Sequence, residues 1–189
     1  AIGLFRGFSN GSLPASEVFD VQQIGIYLAV AELWGSWHDI RWHNQRFYFN
    51  PITTKLEPIA FDANLQDRRK NRDSFTDLVA VNEPISNLML ADPKIAASFV
   101  KSLRELTDDI GKGESSQFLQ EVNRLANYYF PSLADEFFLL SPSMGKYLEK
   151  RAEFLRESLI PDTQATGLRK MLLLIHAYRI EDSSHNYLE

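Results

Sequence analysis

An apolar segment that stops at a glycine and passes at once into a polar cluster is the feature that most constrains this chain. From Ser16 to Trp34 the residues Val18, Phe19, Val21, Ile24, Tyr27, Leu28, Ala31 and Leu33 fall mostly at helical spacing. The spacing predicts one long, largely buried helix, closed by Gly35 as glycine commonly closes helices. The polar cluster follows immediately: Trp37-His38-Asp39-Ile40-Arg41-Trp42-His43-Asn44. Then Arg46-Phe47-Tyr48-Phe49 and Leu56-Glu57-Pro58-Ile59-Ala60-Phe61 read as two short strands, joined through Asn50-Pro51-Ile52-Thr53-Thr54 into a hairpin. Pro58 puts the second strand at an edge or a bulge. A hairpin returns the chain close to its start, so Asp62, just past it, is expected beside Asn44. Asp39, Asn44 and Asp62 are thus expected to converge through local geometry alone.

Around this core the pattern is mainly helical. Ala1 to Asn10 is rich in Gly and aromatic residues, and Asn10-Gly11-Ser12 is a turn signal. After the charged stretch Gln66 to Asp73, read as a loop, and after Pro84, three segments carry apolar stripes: Pro93 to Thr107, Glu114 to Phe130 and Ser141 to Leu159. The second is expected to bury Phe118, Leu119, Val122, Leu125, Ala126 and Tyr129, and the third the stem of Arg151. Pro161-Asp162 breaks the last helix, and Leu168 to Ile180 fits a strand or a short helix. The expected fold class is α+β, mostly helical, with a small β-hairpin beside the site loop. We read one domain over 1–189, with the site core at about 14–66 and a helical remainder at about 84–189.

Composition narrows the partners. The chain has 189 residues and a net charge of -5, so no basic excess draws it to a polyphosphate backbone and nucleic acid is not expected. There are no cysteines, which excludes disulfides and thiolate metal sites. The longest apolar run, Met171 to Ile175, is far too short to enter a bilayer as a span, so no membrane insertion is expected. The chain opens on Ala1 and has no charged-then-apolar leader, and is read as a piece of a longer protein.

The chemistry lies in the three oxygen-bearing residues. Phosphoryl transfer needs a carboxylate near the attacking hydroxyl and oxygen ligands that hold a divalent ion against the phosphates. Asp39 suits the first task. Asn44 offers a neutral amide oxygen and Asp62 an anionic one, both suited to a hard cation. The run Tyr27-Leu28-Ala29-Val30-Ala31-Glu32-Leu33-Trp34-Gly35-Ser36-Trp37-His38-Asp39, with Asn44, Tyr48, Pro58-Ile59 and Phe61-Asp62, resembles the spore-coat CotH kinase family. The resemblance covers Val18 to Asn64 and implies the C-terminal lobe of a protein-kinase-like fold. It implies transfer of the ATP γ-phosphoryl group to Ser or Thr hydroxyls of a protein substrate, with Mg2+ or Mn2+. By the match Asp39 is the catalytic aspartate, Asn44 and Asp62 hold the metal, and Asn64 joins them in binding the cofactor. The family commonly has Asp-x-Asp after the hairpin, where this chain has Asp62-Ala63-Asn64, one charge fewer. Only Arg6 and a single helix precede Asp39, so the N-terminal nucleotide-binding lobe is expected to lie outside this chain. Family members place such proteins at the spore coat, on the cell surface or outside the cell.

Other readings stay open. Asp and Asn favour loops and turns in any protein. A catalytically inactive, pseudokinase-type interaction module would keep the same fold. A metal-dependent phosphohydrolase built on His38-Asp39 is a third reading, although no histidine pair has helical ligand spacing. His38 is expected to brace the loop through hydrogen bonds to backbone or carboxylate. Trp34, Trp37 and Trp42 are expected in the core. The basic run Arg68 to Arg72 fits either an acidic peptide or phosphate, or a solvated loop.

Overall fold

The computed structural model describes residues 1–63, 78, 80–133 and 144–158. The expected elements at Leu168 to Ile180, the basic run Arg68 to Arg72, Pro161-Asp162 and Asn64 lie outside the described residues. Within them the chain is α+β and mostly helical: α1 (Ile2–Ser9), α2 (Ala15–Val18), α3 (Val21–Trp34), β1 (Arg46–Asn50), β2 (Lys55–Ile59), α4 (Pro84–Leu90), α5 (Pro93–Ile110), α6 (Gln117–Leu133) and α7 (Met144–Ser158).

The long helix expected from Ser16 is two helices. Asp20 caps α3, its side chain accepting the Gln23 N–H at 2.8 Å. Phe19 is extended rather than helical and bridges Leu56 of β2, and the Asp20 N–H donates to the Leu56 carbonyl at 2.9 Å. The break therefore seams the helical layer to the hairpin. The first ten residues also hold a helix that their glycines obscured. Gly7 sits inside α1 because a Cβ there would lie 2.6 Å from Leu13 Cδ1. Packing at that crossing overrides the weak helix propensity of glycine.

α3 is apolar almost all round, as a buried helix should be. Ile24, Leu28 and Leu33 are fully buried, and α5 packs along the helix through Ile95, Phe99 and Leu103. The two backbones approach so closely that a Cβ on Gly25 would lie 2.6 Å from Ser98 Cβ. Each such large apolar side chain contributes about 1.5–3 kcal/mol when fully buried. α7 closes the layer through Tyr147, Leu148 and Leu155. Asp92 caps α5, its carboxylate accepting the Lys94 N–H at 2.9 Å and the Ser16 N–H at 2.8 Å, which joins α2 to α5.

β1 and β2 pair antiparallel from Arg46 opposite Ile59 to Asn50 opposite Lys55. Pro58 faces Phe47 without a bulge, in a sheet of two strands among the described residues. Phe47 turns inward against Phe19 and Phe5, with ring centroids 5.1 and 6.1 Å away. The connection is tight: Asn50 Oδ1 accepts the Ile52 N–H at 2.9 Å, and Thr54 adopts φ 56.

Two expected core assignments fail. Trp34 and Trp37 pack partly buried on the core, but Trp42 is 76 % exposed. A turn at Arg41, whose carbonyl accepts the N–H groups of Asn44 and Gln45, sends Ile40 inward and residues 41–43 outward. Along α6 only the first turns pack: Leu119 is buried, whereas Leu125 and Tyr129 are exposed. The helix is held at that end by Asp109, which accepts from Ser116 Oγ and the Phe118 N–H.

Candidate functional site

α3 ends in a left-handed Gly35 at φ 64, with Gly35 N–H donating to Glu32 O and Ser36 N–H to Ala31 O. This six-residue closure satisfies the last carbonyls and fixes the direction in which the chain leaves the helix. Tyr27, one face of the same helix, donates its hydroxyl to the Asp39 carbonyl at 3.0 Å. Ile40 is buried next to it. Helix end, tyrosine tether and buried isoleucine together hold Asp39 on a fixed backbone.

Asp39 is 3 % exposed, and its Oδ1 is buried without a hydrogen-bond partner. Burial pushes its carboxyl above the usual range. The Ser36 hydroxyl, the N–H groups of Asp39 and Ile40, and the charge on His38 pull the other way without cancelling it. Burial first and the Asp39 charge second likewise push the Tyr27 hydroxyl up, so it stays a donor.

The structure brings Asn44, His38 and Asp62 into contact. His38 Nδ1 lies 2.6 Å from Asp62 Oδ2. A carboxylate only accepts, so this ring nitrogen carries the hydrogen. Asn44 Nδ2 is 3.1 Å from the same nitrogen, but the amide hydrogens go to the His38 carbonyl at 3.0 Å and to Asp62 Oδ2 at 3.4 Å. The amide nitrogen of Asn44, not its oxygen, therefore faces Asp62. Asp62 itself adopts φ 57, a left-handed conformation that Asp tolerates better than most residues. Asp39 joins this group through the backbone, as the residue following His38. His43 touches the rings of His38 and Trp42 from the exposed side. Among the described residues no group of three or more His, Cys, Asp and Glu side chains is placed to hold a metal ion.

Sequence reasoning passed over two supports. Gln45 donates to the Ile40 carbonyl at 2.7 Å and keeps a buried, unpartnered Oε1. Glu32, inside the apolar run of α3, binds Arg151 of α7 at 2.7 Å, with both side chains fully buried. Its second oxygen accepts the Ala80 N–H at 2.7 Å, and Arg151 Nε donates to the Glu32 carbonyl. A lone acid on an otherwise apolar helix was the signal: a charge there needs a buried partner.

No family model matches the chain, and no curated protein or solved structure shows a significant match. No helix among the described residues is long and apolar enough to cross a membrane.

Proposed function

We propose that this chain carries the catalytic-loop half of an atypical, CotH-like protein kinase, the C-terminal lobe of a kinase-like fold. The observation that carries the reading is the meeting of Asn44, on the Asp39 loop, with Asp62, beyond the hairpin, around the His38 ring. That is the arrangement a phosphoryl-transfer site needs: one residue for the hydroxyl and two ligands within reach of each other.

In the proposed reaction Asp39 orients a Ser or Thr hydroxyl of a protein substrate and accepts its proton. The hydroxyl oxygen bonds to the γ-phosphorus of ATP, the bond to the β,γ-bridging oxygen breaks, and ADP leaves with that electron pair. A carboxyl held above the usual range by burial is a better proton acceptor than an exposed one. The donor set fits Mg2+ or Mn2+ in chemistry, since Asp62 and Asn44 offer hard oxygens. Asp62 Oδ1 is the oxygen left over by His38 and Asn44, on a side chain 43 % exposed. Asn44 would contribute its amide oxygen, which requires the amide to turn over from its present hydrogen bonds. When bound, the ion supplies neutralisation of the phosphate charge. Asn64 would add a further oxygen.

A pseudokinase-type interaction module is the second reading. It is favoured by the sealing of Asp39 Oδ1 from solvent and by the two N–H donors already on Asp62 Oδ2. Incorporation of labelled phosphate from ATP, with Mg2+ or Mn2+, in full-length protein separates the two. The kinase reading expects Asp39→Ala to lower incorporation by a factor of about 100 to 10,000, the span usual for an acid–base group. Equal incorporation in the two proteins would remove Asp39 from the catalytic role, and none in either would turn the assignment toward the interaction module.

A further inference from the structure

We infer that His38 is a positioning residue: its ring N–H grips one oxygen of Asp62 so that the other is presented to a divalent cation. The inference rests on the reading of Asp62 as a metal ligand. Asp62 sits on an exposed turn, where a free carboxylate would sample several rotamers. Two donors remove that freedom, and both land on Oδ2: His38 Nδ1 at 2.6 Å and Asn44 Nδ2 at 3.4 Å. The shorter is the His38 bond. It is also the one that must persist, because Asn44 has to release Asp62 for its own oxygen to serve as a ligand. The ring cannot swing freely, being set edge-on against Trp37 at 5.1 Å and His43 at 6.3 Å. His38 and Asp39 are consecutive, so one backbone turn both buries the proposed proton acceptor and aims the ring that holds the proposed ligand. A hydrogen bond to the non-ligating oxygen of a carboxylate fixes its direction, and loss of such a partner commonly weakens metal affinity 10- to 100-fold.

Mn2+ alone is the probe, its free concentration followed by electron paramagnetic resonance during titration of the 189-residue chain. His38→Ala is expected to raise the Mn2+ dissociation constant by about tenfold or more. His38→Asn, whose side-chain N–H lies close to the position of the imidazole Nδ1–H, is expected to recover most of that loss. A purely structural role would instead lower the unfolding midpoint of both variants and give no recovery. His38→Ala binding Mn2+ as tightly as the wild type, or more tightly, overturns the positioning role while leaving Asp62 as a ligand. Asp62→Ala binding like the wild type, or a wild type that binds no Mn2+, overturns the metal-ligand reading and the positioning role with it.

Discussion

Two acid–base pairs flank the C-terminal end of α3, and they differ in burial, in sequence separation and in access to solvent. Glu32 and Arg151 meet at 2.7 Å with neither side chain exposed; His38 and Asp62 meet at 2.6 Å with 34 % and 43 % of their side chains exposed. The first joins residues far apart in sequence and has its remaining hydrogen bonds filled, by Ala80 and the Glu32 backbone. The second joins residues within one loop-and-hairpin unit, and among the described residues its donors fall on one carboxylate oxygen, Asp62 Oδ2. A sealed pair cannot exchange its partner without unfolding its surroundings. An open pair can give one oxygen to a ligand and keep the other. The contrast separates the part of the molecule that holds shape from the part suited to chemistry, although both hang on the same helix.

The largest effect should come from the sealed pair. Arg151→Ala takes the guanidinium partner from the buried Glu32 carboxylate and removes a ring contact with Phe154 at 5.3 Å. Breaking a buried pair from one side costs about 3–5 kcal/mol. Equilibrium urea unfolding should show that loss, with Arg151→Lys between the two because a single ammonium cannot reproduce the fork on Glu32. A loss under about 1 kcal/mol would mean that water reaches this pair, and the contrast between the two would collapse.

A smaller effect, of opposite sign, is expected at Asp39. Burial raises its folded-state pKa above the unfolded one, so the folded protein prefers the protonated carboxyl. That preference adds stability below the unfolded pKa and is lost as pH rises through the folded value. At neutral pH the charged, partly unpartnered carboxylate is therefore destabilising. Asp39→Asn should be more stable than the wild type by about 1 kcal/mol at pH 7, the scale of relieving one buried unsatisfied acceptor. The gain should shrink toward zero in acid, in thermal melts taken from pH 7 down through the carboxylate range. The same variant should lose phosphoryl transfer, the usual exchange between stability and function at a working site. A variant less stable at pH 7 would place Asp39 among the groups that hold the fold.

The contrast also explains what the sequence made legible. The hairpin and the Gly35 closure depend on residues a few positions apart, and the hairpin in turn carries Asp62 back across 18 positions to Asn44, so turn chemistry and strand alternation encode all three. The division of the expected long helix at Phe19 and Asp20 was also written locally, in an aspartate ahead of an apolar run, but helical periodicity on both sides masked it. Trp42 misled because residue type favours burial, whereas the turn at Arg41 decides which way each side chain of the loop points. Which residue answers Glu32 was beyond local reading: the lone acid on α3 signals that a partner is needed, but 119 positions separate it from Arg151, and only the packing of α7 on α3 unites them.

The smallest stability effect should be at the open pair. His38→Ala removes the shortest contact in the site, yet both partners then meet water instead of a sealed void. Exposed pairs of this kind contribute about 0.2–1 kcal/mol, and the Asn44 amide still holds Asp62. The variant should unfold within about 0.5 kcal/mol of the wild type in the same urea series that separates Arg151→Ala by several times as much. The ratio of the two losses is the measurement that matters, because it compares pairs of nearly equal length, one buried and one exposed. Equal losses would mean that His38 braces the fold as Arg151 does, and the open oxygen of Asp62 would lose its claim to be held for a ligand.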